Sequence, residues 1–166
     1  MEVTQITKTI VGIVALSIIL SGGTIPDKWF NMFGSPSAQD IQDLGGTMQL
    51  ENGDNGDECL LLTGSVVLNR LYSKNWKGDT IRDIILAKGQ YASKTRNNFT
   101  TVKVKKRIKM LAKYLLIFGP ICDSRVTYQG QSINGKGIKD PISGEIQHVY
   151  KRIKVPGQKD EIFCYE

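Results

Sequence analysis

The sequence predicts an α+β domain in which helices come first and a small antiparallel sheet comes last. Between Ser37 and Phe118, apolar residues recur at helical spacing, most clearly in residues 101–118. After Pro120 the pattern changes to short runs rich in β-branched and aromatic residues, separated by glycine and proline. The length of 166 residues suits one domain with an appendage.

Residues 1–23 are set apart by an apolar core at positions 10–20, inside a stretch that carries no charge from Thr9 to Ile25. This core is short for a membrane-spanning helix, which needs about 20 residues. It suits the apolar part of an export signal or a membrane anchor, with small residues at 21–23 near a cleavage position. The alternative is an apolar helix that is buried, or that packs against other subunits of an assembly.

Residues 24–37 are predicted to form a linker, because glycine, proline and serine recur in them. Trp29, Phe30 and Phe33 interrupt this linker. They indicate a docking patch, an anchor at a membrane interface, or packing on the domain. Contact with a membrane or with an assembly such as a phage particle is therefore expected through residues 9–33.

The first helix of the domain proper, residues 38–166, is predicted to begin after Ser37 and to run to about Glu51. The pair Gly45-Gly46 weakens this helix. The helix is expected either to continue through the pair or to be split there. A second helix begins at Asp57 or Glu58 and is apolar on most sides. Two more helices are then expected.

A short third helix is predicted to begin at Thr80, and the fourth spans 101–118. Gly119-Pro120 ends the fourth helix. Its polar side is interpreted either as a solvated face or as a patch that attracts an anionic polymer. The basic residues of that side are Lys103, Lys105, Lys106, Arg107, Lys109 and Lys113.

The last part of the chain is predicted to form the sheet. Residues 125–129 have the composition of a strand, and residues 130–144 have that of a glycine-containing loop. Residues 148–155 and 161–165 are predicted to pair as a hairpin around Pro156-Gly157.

The net charge of +6 restricts the partners. Residues 1–45 hold two lysines and four acids, which leaves a charge of +8 on the remainder. Such a basic region suits an anionic partner. The sequence patterns of RNA-binding modules and zinc fingers are absent, so no nucleic acid is expected as the partner.

Three cysteines and one histidine leave few routes to catalysis. Cys59, Cys122 and Cys164 show neither CxxC nor His-paired spacing, so no metal site is expected. A Ser/His or Cys/His nucleophile is equally unexpected, and no cofactor is predicted. One disulfide between two of these cysteines is an alternative if the domain works outside the cell. Carboxylate chemistry is the main route that remains.

Glu51 is the candidate carboxylate. It stands at the end of a predicted helix, and a polar run with two glycines, residues 52–57, separates it from the next helix. A carboxylate held at a helix end beside a buried helix is a candidate general acid. The alternative is a solvated acid at a helix terminus.

Four short elements, taken in order, resemble the cell wall hydrolase family related to the spore cortex-lytic enzyme SleB. They are the sequence ENG at 51–53 with GSVVLNR at 64–70, KGQYA at 88–92, YQ at 128–129 and FCY at 163–165. The resemblance covers about residues 46–166. The chain departs from the family pattern in residues 73–76, in an insertion at about 138–148 and in a longer turn at 154–160.

This resemblance implies a lysozyme- or transglycosylase-like fold and cleavage of the MurNAc–GlcNAc strand of peptidoglycan. Glu51 is then the general acid and base, and Gln90 and Tyr91 line the cleft, Gln90 by hydrogen bonds and Tyr91 by stacking on a sugar. Tyr128 and Gln129 do the same from the sheet side. The site of action is then the cell envelope or the extracellular space, or a virion if a phage encodes the protein. The alternative is a non-catalytic wall-binding or structural module of a larger assembly.

In this resemblance Glu51 is expected to act alone and to leave 1,6-anhydro-muramic acid ends. Hydrolytic enzymes need a second carboxyl group at a fixed distance. The nearby candidates are all in the polar run after Glu51, and a flexible loop positions a nucleophile poorly. The sheet side of the cleft is expected to be neutral, with Tyr128, Gln129 and Asn134. The loop acids are Asp54, Asp57 and Glu58.

Overall fold

The computed structural model describes residues 5–132, 137–139 and 144–166. In these residues helices precede a three-stranded antiparallel sheet, which confirms the predicted α+β class. The helices are α1 (Gln5–Leu20), α2 (Asp27–Asn31), α3 (Ala38–Asn52), α4 (Asp57–Tyr72), α5 (Ile81–Leu86), α6 (Ser93–Asn98) and α7 (Lys106–Phe118). The strands are β1 (Val126–Ser132), β2 (Val149–Ile153) and β3 (Asp160–Tyr165). Asn134, expected in the cleft, lies outside the described residues.

The sheet has the strand order β1-β3-β2, with β3 antiparallel to both neighbours. The predicted hairpin is confirmed, and Gly157 in its turn has a φ of +72°, a left-handed conformation that glycine adopts without strain. Gln129 lies opposite Phe163, and Gln131 lies opposite Glu161. Because directly opposed residues of an antiparallel pair project from the same face, these four side chains share one face of the sheet.

Phe163 shows that this shared face is the one against the helices. Its fully buried ring packs in a cluster with Cys59, Leu62 and Val66 of α4 and with Val126 of β1. Side chains alternate along a strand, so Glu161, two residues earlier, projects towards the helices as well. The strand therefore carries a carboxyl group into the interface between the two layers.

The main core lies where α3, α4 and α7 pack together. Every residue of α4 from Cys59 to Arg70 is buried, as its apolar composition predicts. Removing a large aliphatic side chain from water stabilises a fold by about 1.5–3 kcal/mol. This packing fixes the C-terminal end of α3, which carries Glu51, against the rest of the domain. The fully buried aliphatic residues of the core include Leu44, Met48, Leu61, Leu68, Leu111 and Leu115.

The pair Gly45-Gly46 does not split α3, which is continuous across it. A Cβ atom on Gly46 would overlap the carbonyl oxygen of Phe99, whereas one on Gly45 would lie 3.1 Å from Cγ1 of Val104. Glycine at position 46 thus lets the backbone that follows α6 approach the helix closely. The weaker helix propensity is offset by this packing.

Gly46→Ala is therefore expected to lower the free energy of unfolding by about 1–3 kcal/mol, the usual cost of overpacking a core. Gly45→Ala is the matched control, because its new methyl group meets side-chain atoms of Val104 at 3.1 Å without overlapping any backbone atom, and alanine favours the helix. Urea unfolding of both variants measures the difference. Equal stability of the two variants would contradict the proposed close approach at Phe99.

The helix predicted over residues 101–118 begins only at Lys106, which corrects that prediction. The reason is a competing set of hydrogen bonds from Gln49 of α3. Its Nε2 donates to the Lys103 carbonyl over 2.9 Å, and its Oε1 accepts from the Lys105 backbone N–H over 2.7 Å. Because these backbone N–H and C=O groups already have hydrogen-bond partners, no helical hydrogen bonds are required to pair them.

Gln42, seven residues earlier on α3, binds the same segment. Its Nε2 donates to the carbonyls of Phe99 and Val102, each over 3.0 Å. Val104 is buried between these bonds and the start of α7. We call Gln42 and Gln49 with the backbone of residues 99–105 the glutamine clamp.

The N-terminal helix α1 packs against α7. Ala15 and Ile19 are buried, and the hydroxyl of Tyr114 donates to the carbonyl of Gly12 over 3.2 Å. The opposite side of α1 is exposed, with Ile6 and Ile13 among its apolar residues. No helix in the described part of the chain has the length and apolarity to cross a membrane.

The segment predicted as a linker contains the short helix α2. Phe30 is buried, and the ring of Phe33 lies edge-on to that of Phe118, with 5.4 Å between the ring centres. The aromatic residues thus pack on the domain, one of the three alternatives for them.

Arg107 joins the N-terminal segment to the domain, although the sequence places it on the solvated side of α7. Its guanidinium group binds Asp57 at the start of α4. It also donates to the carbonyls of Gly23 and Ile19, the latter over 2.9 Å. Cationic groups near the last carbonyls of a helix are stabilising, so Arg107 supports the end of α1.

Candidate active site

Glu51 lies in the last turn of α3 and is half-buried. The hydroxyl of Thr95, a buried residue of α6, donates to Glu51 Oε1 over 2.5 Å. The hydrogen-bond partner of this carboxyl group is therefore a neutral side chain. Helix α6 was not predicted, because its six residues include no apolar side chain that could reveal a periodicity.

Asn52 connects the end of α3 to the rest of the site. Its Nδ2 donates to Thr63 Oγ1 over 2.8 Å and contacts Glu161 Oε1 at 3.5 Å. Its Oδ1 accepts from Asn55 Nδ2 over 2.6 Å. The residue next to Glu51 thus contacts α4 and the central strand of the sheet.

The sheet side carries a buried carboxyl group, Glu161, close enough to Glu51 for its charge to be felt, which corrects the expectation of a neutral sheet side. Only 5% of the residue is exposed. The pKa of Glu161 is raised to about 7, mainly by burial, with the Asn52 hydrogen bond acting against the rise and the charge of Glu51 making the smallest contribution to it. The signal in the sequence was its position two residues before Phe163, on the inward-facing side of a predicted strand.

Tyr91 is buried beneath Arg70. The Cζ atom of Arg70 lies 5.2 Å from the centre of the Tyr91 ring and 4.4 Å from that of Trp76. Arg70 Nε donates to the carbonyl of Thr127 over 2.7 Å, which fixes the guanidinium group. Burial raises the pKa of Tyr91, while the charge of Arg70 lowers it and that of Glu51 raises it. The Tyr91 hydroxyl therefore lies within electrostatic reach of both charges.

Sugar stacking on Tyr91, which the family resemblance implies, does not fit this burial, because only 6% of the residue is exposed. Gln90 is half-buried in the turn after α5, where its backbone N–H donates to the Ala87 carbonyl over 3.3 Å. α5 ends at Leu86 and α6 begins at Ser93, so both residues lie in the connection between these helices.

Tyr128 and Gln129 are neighbours on β1 and so project from opposite faces of the sheet. Gln129 projects towards the helices, opposite Phe163. The ring of Tyr128 lies edge-on to that of Trp76, with 5.8 Å between the centres. The two predicted residues therefore do not form one surface, although Trp76 connects Tyr128 to Arg70.

Several buried polar atoms of this region have no hydrogen-bond partner within the described residues. A buried polar group without a partner costs about 1–3 kcal/mol, so such groups are rare in stable proteins unless they serve a ligand or water. The atoms are Arg70 Nη1, the Tyr91 hydroxyl, Arg96 Nε, and both Nε2 and Oε1 of Gln129. Arg70 and Tyr91 pack together, and Arg96 follows Thr95, which binds Glu51.

Of the three acids after Glu51 that were predicted in a loop, only Asp54 lies in one, because Asp57 and Glu58 stand in the first turn of α4. Each of the three has a cation as a partner. Asp54 binds Lys105 over 3.2 Å, and its side chain is 90% exposed. Asp57 binds Arg107, as described above, and Glu58 binds Lys151 of β2. These pairings give Asp57 and Glu58 a structural explanation that does not involve catalysis.

A groove of about 270 Å³ lies beside the end of α3. The loop from Asp54 to Gly56 forms one wall, and the turn between β2 and β3 forms the other. The residues of that second wall include Ile153, Lys154, Val155, Pro156 and Gln158. Glu51 is not among the residues that line this groove.

The histidine, cysteine and acidic side chains of the described ranges are dispersed. No group of three or more His, Cys, Asp or Glu side chains is placed there to hold a metal ion. The three cysteines are free thiols. Burial raises the pKa of Cys59 to about 12 and that of Cys122 to about 11, so both are protonated and unreactive at neutral pH.

Comparisons of the chain with family models, with curated proteins and with solved structures found no match. Of the residues that the sequence singles out, Glu51 and Tyr91 lie within electrostatic reach of each other.

Proposed function

We propose that this protein cleaves the MurNAc–GlcNAc glycan strand of peptidoglycan, with Glu51 as general acid and base on a lysozyme- or transglycosylase-like fold. The placement of Glu51 carries the proposal. It is a half-buried carboxyl group with a neutral hydrogen-bond partner, at the end of a helix that the core holds in place. These are the conditions under which a carboxyl group exchanges a proton with a bound substrate.

In the proposed reaction Glu51 first donates its proton to the oxygen that joins MurNAc C1 to GlcNAc. The C1–O bond breaks, and GlcNAc leaves with a free 4-hydroxyl group. The ionised Glu51 then takes the proton of the muramic acid C6 hydroxyl while O6 bonds to C1. This closes a 1,6-anhydro ring without water and returns the proton to Glu51.

The other residues of the site bind and orient the glycan. Thr95 holds the Glu51 carboxyl group through its hydroxyl. Arg70 is only 3% exposed and packs over Tyr91 and Trp76, so in this proposal it supports the site from beneath and does not meet the glycan. Gln90 and Tyr128 remain candidates at the edge of the cluster. With this substrate, the protein acts at the cell envelope, outside the cell or as part of a virion.

Digestion of purified peptidoglycan in water labelled with heavy oxygen tests both the activity and its mechanism. We expect muropeptides that end in 1,6-anhydro-muramic acid and carry no label, because the internal C6 hydroxyl replaces water. Mass spectrometry of the digest detects both features. Labelled reducing ends would show attack by water and contradict the ring closure, and the absence of any released muropeptide would contradict the function itself.

A non-catalytic wall-binding or structural module is the second candidate. The exposed apolar side of α1 favours it, because Ile6, Ile10 and Ile13 are each more than half exposed and suit contact with a membrane or an assembly. Sedimentation with cell walls, without release of any muropeptide, would support this candidate over an enzyme.

A further inference from the structure

We propose that the groove between residues 24–26 and helix α7 binds the phosphate headgroup of an anionic phospholipid and so holds the protein at a membrane surface. The groove has a volume of about 610 Å³, within the range of about 300–1,000 Å³ that is usual for ligand sites. Binding of a lipid there does not depend on the proposed cleavage of peptidoglycan. The residues that line the groove are Thr24, Ile25, Pro26, Lys106, Arg107, Lys109, Met110 and Lys113.

The wall of the groove on α7 follows from helical spacing. Lys106, Lys109, Met110 and Lys113 stand at positions i, i+3, i+4 and i+7 of the helix, so their side chains share one face. Lys106 and Lys109 are exposed, whereas Met110 is buried among the residues that support the groove. This face therefore combines cations with an apolar surface.

Two contacts fix the opposite wall to α7. The backbone N–H of Ile25 donates to Met110 Sδ over 3.4 Å, and the guanidinium group of Arg107 donates to the carbonyl of Gly23. Arg107 is itself held by Asp57 at the start of α4. A ligand that binds between walls already fixed in this way loses less free energy to ordering the protein.

The charge of the groove suits a phosphate group. The described lining contains four cationic residues and no acidic one. Arg107 is neutralised by Asp57. Lys106 and Lys109 have no ion-pair partner among the residues that the structure describes. Their charges are therefore available to an anion, and lysine binds phosphate groups as a point charge.

The apolar residues in and near the groove favour a lipid over a polysaccharide. Ile25 and Met110 offer apolar contacts in the groove itself. Helix α1, which ends four residues before Thr24, exposes large apolar side chains over more than half of their surface. Exposed apolar side chains combined with lysines are typical of proteins that lie on anionic membranes, whereas a polysaccharide would leave these side chains in water. They include Ile6, Ile10, Ile13 and Leu20.

Sedimentation of the full chain with lipid vesicles tests the proposal. We expect binding to vesicles of equal parts phosphatidylglycerol and phosphatidylcholine, and little binding to vesicles of phosphatidylcholine alone. Lys106→Gln combined with Lys109→Gln is expected to weaken binding to the anionic vesicles by about 30-fold, because each lysine at an anionic surface contributes about fivefold. Both side chains are exposed, so this variant should keep its fold.

Lys74→Gln combined with Lys77→Gln is the matched control. It removes the same charge from exposed positions in the connection between α4 and α5, outside the groove. We expect this control to bind the anionic vesicles nearly as tightly as the wild-type chain does. Equal weakening in the two double variants would mean that net charge alone attracts the protein, and would overturn the proposal.

Two further measurements distinguish a lipid from other sources of negative charge. Soluble glycerol phosphate, which carries the charge without acyl chains, should displace the protein from vesicles only at concentrations far above that of the lipid. Displacement at equal concentration would show a site for free phosphate and overturn the lipid assignment. So would a groove variant that loses binding to purified cell walls but keeps its binding to vesicles, because the occupant would then be an anionic wall polymer.

The vesicle experiment and the digestion of peptidoglycan fail independently. A wild-type chain that does not bind anionic vesicles, or that binds both kinds of vesicle equally, contradicts the lipid site and leaves the proposed cleavage unaffected. A chain that releases no muropeptide but binds anionic vesicles through Lys106 and Lys109 contradicts the cleavage and supports the lipid site.

Discussion

Glu51→Gln is expected to reduce the rate of peptidoglycan cleavage by roughly 10²–10⁴-fold, the usual contribution of a general acid. Glutamine keeps the length and shape of the side chain and can still accept the hydrogen bond from Thr95 through its amide oxygen. It cannot donate a proton to the glycosidic oxygen. Release of soluble muropeptides from purified walls, measured at several pH values, gives the ratio of rates.

Asp54→Asn is the matched control for this experiment. Asp54 follows Glu51 by three residues, but it is exposed and binds Lys105 at the surface. Exposed ion pairs contribute about 0–1 kcal/mol, so the variant should keep both its fold and most of its rate. Cleavage by Glu51→Gln at the rate of the Asp54→Asn control would rule out Glu51 as the acid.

Glu161→Gln is expected to stabilise the protein at pH 8 while changing little at pH 4. The folded pKa of Glu161 is about 7, above the ordinary value of 4.5, because burial disfavours its charged form. Between these two pH values the folded state binds more protons than the unfolded state, so the free energy of unfolding falls as pH rises. Above pH 7 the full cost of the buried charge is present, and the glutamine variant avoids it.

The expected gain at pH 8 is about 2 kcal/mol, which is less than the full conversion of the pKa shift because water screens part of the group. Urea unfolding of both proteins at pH 4, 6 and 8 measures it. Asp160→Asn, measured in the same way, shows how much of the gain in the free energy of unfolding comes from removing any negative charge from this strand. A wild-type stability that stays constant from pH 5 to pH 7 would mean that Glu161 is not a costly charge in the folded state.

The helices that the sequence predicted well are those whose cues are local. Ser37 accepts from the Asp40 backbone N–H as an N-cap, and Thr80 forms a capping box with Asp83. The predicted start of α7 was wrong because side chains of two distant glutamines form hydrogen bonds with the backbone of the preceding residues. A bond between residues more than 50 positions apart leaves no trace in a local periodicity.

The site was predictable only in part, for a similar reason. Glu51 stands out because it ends a helix beside a polar run. Glu161 is 110 positions away, and its role depends on which strand is central and which face meets the helices. Thr95 belongs to a helix without apolar residues, so no pattern marked it. Arg70 ends the sequence element GSVVLNR, but its position over the Tyr91 ring follows from tertiary packing.

The glutamine clamp has a consequence for how this chain can change in length. Segments without regular secondary structure usually gain and lose residues freely during evolution. Residues 99–105 belong to such a segment, yet an insertion there would move the groups that bind Gln42 and Gln49 out of reach of α3. Homologues are therefore expected to keep this connection at constant length. Variation in length should fall instead on the turn around Gly157, whose tip is exposed.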